Sequence, residues 1–168
     1  DLRIVPSFPD AFRRICNLYI KLIENEIGKE NFERIAGIPT AGISFASVIA
    51  YHFEKPFLYV RKDVKPHGRQ RKIEGILIPG DRILLLDDLV TTGKSLINAA
   101  KAIRAEGGIV ENAIVLLDRE EGGKDNLEKE GIKLHALMKV SEAADKLYEI
   151  GAIDEEQYKT ILKQIRKK

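Results

Sequence analysis

The chain has 168 residues, enough for one domain with a real hydrophobic core, and its 44% hydrophobic and 32% charged residues exclude a disordered polymer. A net charge of +2 is too small to signal nucleic-acid binding by itself. The single cysteine, Cys16, excludes an internal disulfide framework and fits a reducing compartment, while no apolar run approaches membrane-spanning length and no signal peptide is visible.

In chain order, Pro9 is followed by Phe12, Ile15, Cys16, Tyr19, Leu22 and Ile23 at helical spacing, which predicts a first amphipathic helix. Residues 35–38 form a short apolar run that ends at Pro39, a buried strand. Residues 43–53 read as a helix and 57–60 as a strand. Residues 61–75, RKDVKPHGRQRKIEG, have no core periodicity and read as a loop. Pro79 and Gly80 signal a turn before a strand at 83–86. Leu96, Ala99, Ala100 and Ile103 make a helix face that stops at Gly107 and Gly108. Strands follow at 113–117 and 132–137. Ser141 and Asp154 each open a C-terminal helix, and Asp154 with Gln157 has capping-box spacing. Strands alternating with helices predict one α/β domain over residues 1–168: an open, mostly parallel sheet flanked by helices, with a helical C-terminal end. No repeat or linker interrupts it.

The stretch 83–95 reads ILLLDDLVTTGKS. An apolar strand runs straight into Asp87 and Asp88, and in open parallel sheets ligands bind beyond the carboxyl ends of the strands. Adjacent carboxylates repel, so they favour hydroxyls, a metal or a developing positive charge that separates or neutralises them. Thr91, Thr92, Gly93, Lys94 and Ser95 then form a turn into a helix, where backbone amides at the positive helix end suit a phosphate and glycine permits close approach. Acids for a sugar beside amides for a phosphate describe a ribose phosphate site. The competing readings are a capped helix start at the surface and a nucleotide P-loop. Capping does not require two acids after four core residues. The P-loop requires glycine where Asp88 stands.

Two further stretches carry chemistry. Arg61, Lys62, Lys65 and His67 place four potential cations within seven positions. Such a loop can neutralise a highly charged leaving group, or it can be a solvated basic loop or a nucleic-acid patch continued by Arg69, Arg71 and Lys72; charge alone leaves these open. Arg119, in DREEGG at 118–123, follows an apolar strand and can hold a carboxylate in a bidentate fork, or pair at the surface with Glu120 or Glu121. His52 and His135 are isolated and receive no role, and no His/Cys cluster supports zinc.

ILLLDDLVTTGKS resembles the phosphoribosyl diphosphate (PRPP) motif of the type I phosphoribosyltransferases. The resemblance implies that Asp87 and Asp88 meet the ribose hydroxyls and that Leu89, Val90, Thr91, Thr92, Gly93, Lys94 and Ser95 form the PRPP-binding stretch, with Thr91 to Ser95 around the 5′-phosphate. RKDVKPHG is similar to the loop R-K-x-x-K-x-H/Y-G of the orotate phosphoribosyltransferases. This implies PRPP binding by Arg61, Lys62, Lys65 and His67, and catalytic roles for Lys62, Lys65, His67, Asp87 and Asp88. VLLDREEGGKDNL is similar to the stretch of the same enzymes in which the matching arginine contacts orotate; Arg119 and Thr91 are the implied orotate contacts. GIPTAG, at 37–42, resembles the loop that cradles pyrophosphate. Asp1, Leu2 and Arg3 resemble the end of the family segment S-G-x-x-S-P-x-Y-x-D-L-R, whose earlier residues are then absent here. Ala36 stands where bacterial members often have a lysine. The implied fold is that of the type I phosphoribosyltransferases. The implied reaction converts orotate and PRPP to orotidine 5′-monophosphate and pyrophosphate, in a cytoplasmic homodimer whose cationic loop reaches into the neighbouring site. Magnesium is expected to arrive on PRPP, with no dedicated protein metal site, and neither nucleic acid nor membrane is an expected partner. A PRPP-sensing RNA-binding regulator, favoured only by the basic run 61–72, and a transferase for another base remain the alternatives.

Overall fold

The computed structural model describes residues 1–61 and 72–166. Asp1 accepts the Arg3 amide and caps a short 3-10 turn, Leu2–Ser7, which leads into α1 (Pro9–Glu26). Proline at the start of α1 is pre-set for a helix and lacks only an amide that would be unpaired there. One face of α1 buries Cys16, Tyr19, Ile20 and Ile23. Burial pushes the Cys16 thiol up to about 11, which leaves it protonated and unreactive. β1 (Arg34–Gly37), α2 (Ala41–His52) and β2 (Phe57–Val60) follow, then β3 (Ile73–Glu74), β4 (Arg82–Val90), α3 (Lys94–Ala105) and β5 (Ile109–Asp118). The chain continues through α4 (Gly123–Lys129), β6 (Lys133–Lys139), α5 (Val140–Glu149) and α6 (Glu155–Arg166).

Among the described residues the strands form one sheet of order β3-β2-β1-β4-β5-β6, parallel except for β3. Central strands of a parallel sheet are covered on both faces, so they read as continuous apolar runs. In β4, Ile83 and Leu85 join the core under α3 and α4, while Leu84 and Leu86 join the core under α1 and α2. Burial of these side chains, each worth roughly 1.5–3 kcal/mol, is the main cohesion of the domain. The fold is thus the open, mostly parallel, helix-flanked sheet that the sequence predicts.

Several boundaries differ from expectation. The loop expected over residues 61–75 contains β3, whose Ile73 and Glu74 pair antiparallel with Val60 and Tyr59; the Arg61 amide donates to the Lys72 carbonyl. A two-residue strand has no period of its own to read. β4 does not end at Leu86 but carries both acids on to Val90, and β5 starts at Ile109, four positions before the expected Ala113. α4 is an addition to the expected elements, because its glycine-rich start reads as a turn. α5 opens at Val140 rather than Ser141, whereas the reciprocal bonds between Asp154 and Gln157 form as the spacing predicts. His135 is a buried side chain bonded at both ring nitrogens, to Glu26 of α1 at 2.7 Å and to Asn112 of β5 at 3.0 Å. It clamps α1 to the sheet.

At the amino ends of the strands, Arg34 pairs with Asp81 and Arg82 forks onto Glu33 at 2.6–3.3 Å. The Arg82 side chain and then its backbone amide hold the Glu33 carboxyl at about 2, below its ordinary 4.5. A depressed carboxyl contributes stability above its unfolded value and loses it as the pH falls toward its folded one. Urea unfolding of the wild type should therefore weaken more steeply between pH 4.5 and 2 than that of Glu33→Gln; the half-exposed pair keeps the difference small. Parallel acid limbs in the two proteins would remove this pair from the stability of the domain.

Candidate functional site

β1 pairs with β4 only as far as Gly37 opposite Leu86, and the Ile38 amide makes the last bond, 2.9 Å to the Leu86 carbonyl. The chain then leaves the sheet at Pro39 for α2. On the other side β5 stays beside β4 to Asp118 opposite Val90. From Asp87 onward β4 therefore borders an opening above the end of β1. Its face alternation also breaks there. Leu86 belongs to the core under α1 and α2 and Val90 to the core under α3 and α4, although an even spacing keeps residues of a regular strand on one face. The ladder with β5 keeps its register across this stretch, from Asp87 opposite Val115 to Leu89 opposite Leu117. The chain changes face over this stretch, with Asp87 buried at 8% exposure and Asp88 and Leu89 half-buried.

The opening is a cleft of about 510 Å³. Asp87 and Asp88 line it, with Thr91, Gly93, Lys94 and Ser95 on one side and Pro39, Thr40 and Ala41 on the other. Leu2 and Arg3 complete its rim, with Arg3 held by Asp1 at 2.7 Å. The N-termini of α2 and α3 both reach the cleft, and neither N-cap residue, Thr40 or Gly93, places a side chain on the first amides of its helix. Those amides and the positive ends of two helices are thus presented to the cleft, an arrangement that suits two anionic groups. Gly93 is left-handed (φ 80°), a conformation glycine adopts without strain, and it starts α3 at the point where the chain turns out of β4. Gly42, in the first turn of α2, is in closest approach to β4: a Cβ there would lie 2.7 Å from the Leu86 carbonyl and 2.9 Å from the Asp87 carboxylate.

The other predicted site residues are placed less uniformly. Thr92 is exposed, and its carbonyl accepts the Asn126 side-chain amide of α4 at 3.0 Å, which ties the turn to that helix. Val90 packs in the core, so it meets the cleft from below. Arg61 lies at the end of β2, paired with Glu74 at 2.9 Å, beside a second opening that Lys94 and Ser95 also line. Lys62, Lys65 and His67 lie outside the described residues.

Arg119 does not line the cleft, but its amide bonds the Val90 carbonyl at 2.9 Å, so it stands at the root of the turn Thr91–Ser95. Its guanidinium meets Glu121 at 3.1 Å, the pairing that the sequence leaves open. The turn around it is held tightly. Asp118 accepts the Glu120 amide at 2.8 Å, Glu120 takes a left-handed conformation (φ 56°), and its carboxylate accepts the Ser141 amide in the first turn of α5. Sequence reasoning misses Tyr19, which reads as an ordinary core position of α1. It is fully buried, and its hydroxyl donates to the Asp87 carbonyl at 2.8 Å. Burial, with the charges of Asp87 and Asp88, pushes that phenol well above its usual range, so it stays a donor.

Acids at a cleft floor, flanked by helix N-termini, can hold a sugar between phosphates and stabilise positive charge on it. The comparisons agree. The phosphoribosyl transferase domain family matches residues 8–146. The orotate phosphoribosyltransferase of Cenarchaeum symbiosum is 44% identical over 153 residues, covering 91% of this chain and 76% of that one. Among solved structures, Leishmania donovani UMP synthase superposes with a TM-score of 0.86 at 30% identity, over 98% of this chain and 35% of that one. Orotate phosphoribosyltransferase from Aeropyrum pernix superposes at 0.77 and 26% identity, over 88% and 81%. The chain belongs to the phosphoribosyltransferase family, among the orotate phosphoribosyltransferases.

Proposed function

We infer that the chain transfers the phosphoribosyl group of PRPP to orotate, giving orotidine 5′-monophosphate and pyrophosphate in pyrimidine biosynthesis. The observation that carries the reading is the meeting of adjacent carboxylates and the N-termini of α2 and α3 in one cleft. The bond between the anomeric carbon and the pyrophosphate oxygen breaks, and a bond to the orotate ring nitrogen forms. Positive charge develops on the ribose between these events. Asp87 and Asp88 bind the ribose hydroxyls and stabilise that charge, while the turn Thr91–Ser95 holds the 5′-phosphate and Pro39–Ala41 the pyrophosphate. Lys62, Lys65 and His67 neutralise the departing pyrophosphate. Arg119 exchanges its bond to Glu121 for the orotate carboxylate, next to Thr91. Orotate can react as its ring-nitrogen anion, so a dedicated protein base is not needed.

Magnesium would arrive on PRPP, whose hard oxygens suit it, into a cleft whose acids do not oppose a cation, so no dedicated protein metal site is needed. Bound with PRPP, it supplies charge neutralisation for the leaving group. The active form is a cytoplasmic homodimer in which the cations of residues 62–67 serve the partner's cleft. Among the described residues no helix is long and apolar enough to cross a membrane.

Turnover assays with orotate, uracil and purine bases test the reading, and equal use of uracil would overturn it. Asp87→Asn with Asp88→Asn keeps shape and removes charge, so kcat should fall by about a hundredfold or more while the thermal transition stays cooperative. Arg119→Ala should raise the KM for orotate about thirtyfold, the equivalent of about 2 kcal/mol for a charge-assisted fork, with the KM for PRPP little changed. Mixing the Asp87→Asn, Asp88→Asn protein with Lys65→Ala, His67→Ala should return roughly a quarter of wild-type activity, because half of randomly mixed dimers carry one intact shared site. No recovery, with hybrids verified by native mass spectrometry, would exclude sharing.

A further inference from the structure

Asp87 must hold its carboxylate in the cleft at a point where β4 has lost both β1 and its regular alternation. A strand held by a ladder on one side only, here that with β5, is less constrained than one paired on both, yet a catalytic acid needs placement to a fraction of an ångström. The structure shows what replaces the missing ladder. Tyr19 rises from α1, 68 positions earlier in the chain, and gives its hydroxyl hydrogen to the Asp87 carbonyl at 2.8 Å. Its ring is fully buried and rests on Phe45 of α2 at 5.7 Å between centroids, so the hydroxyl has little room to wander. On the same face of the sheet, the backbone of α2 closes on the same residue at Gly42, where a Cβ would lie 2.9 Å from the Asp87 carboxylate and 3.0 Å from its Cα. The Asp88 amide donates to the Asp87 carboxylate at 2.9 Å and fixes its rotamer.

We propose that Tyr19 is a positioning residue for catalysis, which, with the close contact at Gly42, clamps the displaced backbone of Asp87 so that its carboxylate faces the reacting ribose. The proposal rests on the reading of Asp87 as a catalytic acid. A tyrosine serving packing alone needs no hydroxyl at this position, and phenylalanine would fill the same volume. A hydroxyl buried here is anchored to the one backbone carbonyl whose displacement moves the acid. Because the clamp acts on an acid that supports charge formed during reaction, its removal affects the chemical step more than substrate capture.

Tyr19→Phe, Asp87→Asn and Ile23→Val test the clamp, the last being a buried change on the same helix remote from the acids. Each is assayed for kcat and for the KM of both substrates, well below its measured unfolding midpoint. Tyr19→Phe should lower kcat about tenfold with the KM for PRPP shifted by less than about threefold, while Ile23→Val keeps wild-type kcat. Gly42→Ala, if it folds, should also lose kcat. A Tyr19→Phe enzyme with kcat within about twofold of wild type, beside a crippled Asp87→Asn, would overturn the clamp alone. So would a kcat loss of the same size in Ile23→Val, since general loosening of α1 would then explain both. Near-normal turnover by Asp87→Asn would instead overturn the catalytic reading on which the clamp stands.

Discussion

β4 extends for nine residues beside a β1 of only four, and the site occupies the space left by that difference. Within the paired region both faces of β4 are covered, so only apolar side chains are tolerated, and ILLL meets that demand. A carboxylate placed one residue earlier would be enclosed on every side and would have to give up its charge. One residue beyond the end of β1, the same group has an open cleft before it and helix N-termini beside it. The strand length mismatch therefore decides where β4 can carry its two acids, and the helices that follow β1 and β4 inherit their positions from it.

The two cores divide the labour around this point. The core under α1 and α2 carries Tyr19 and Phe45 and sets the acids from below; the core under α3 and α4 carries Val90, Leu96 and Leu127 and sets the turn Thr91–Ser95. Gly93 lies against Gly123 and Leu127, so α4 packs directly on the turn. Thr92 and Asn126 add a hydrogen bond across the same seam. Loops that recognise ligands are usually the mobile parts of a fold, but here short polar ties fasten the turn to a buried helix face.

The apolar run into Asp87 and Asp88, the turn Thr91–Ser95 into a helix and the arginine after β5 are all legible in the amino-acid sequence, because each rests on neighbours along the chain. The features that escape such reading depend on distant partners. Nothing in the spacing of α1 separates Tyr19 from Ile23, since both are core positions, and only the fold reveals that one hydroxyl meets Asp87. The change of face of β4 between Leu86 and Val90 leaves the sequence looking like a strand that simply stops. β3 is two residues paired to a strand more than a dozen positions away, and α4 is hidden behind two glycines. His135, without a role in the sequence, is a structural cross-link between α1, β5 and β6.

The tie between Glu120 and Ser141 has a mechanical meaning. Glu120 adopts a backbone shape that glycine or asparagine would accept more readily, and it does so where its carboxylate reaches the first turn of α5. Ease of the turn and attachment of the C-terminal helices thus compete at one position, and attachment wins. α5 is joined to the Arg119 turn in two ways, by this carboxylate and by β6, whose last residue Lys139 pairs with Asp118. A pull on these helices reaches the arginine turn both through the strand and through that carboxylate, and a glycine at 120, however comfortable for the backbone, would leave only the strand to carry it.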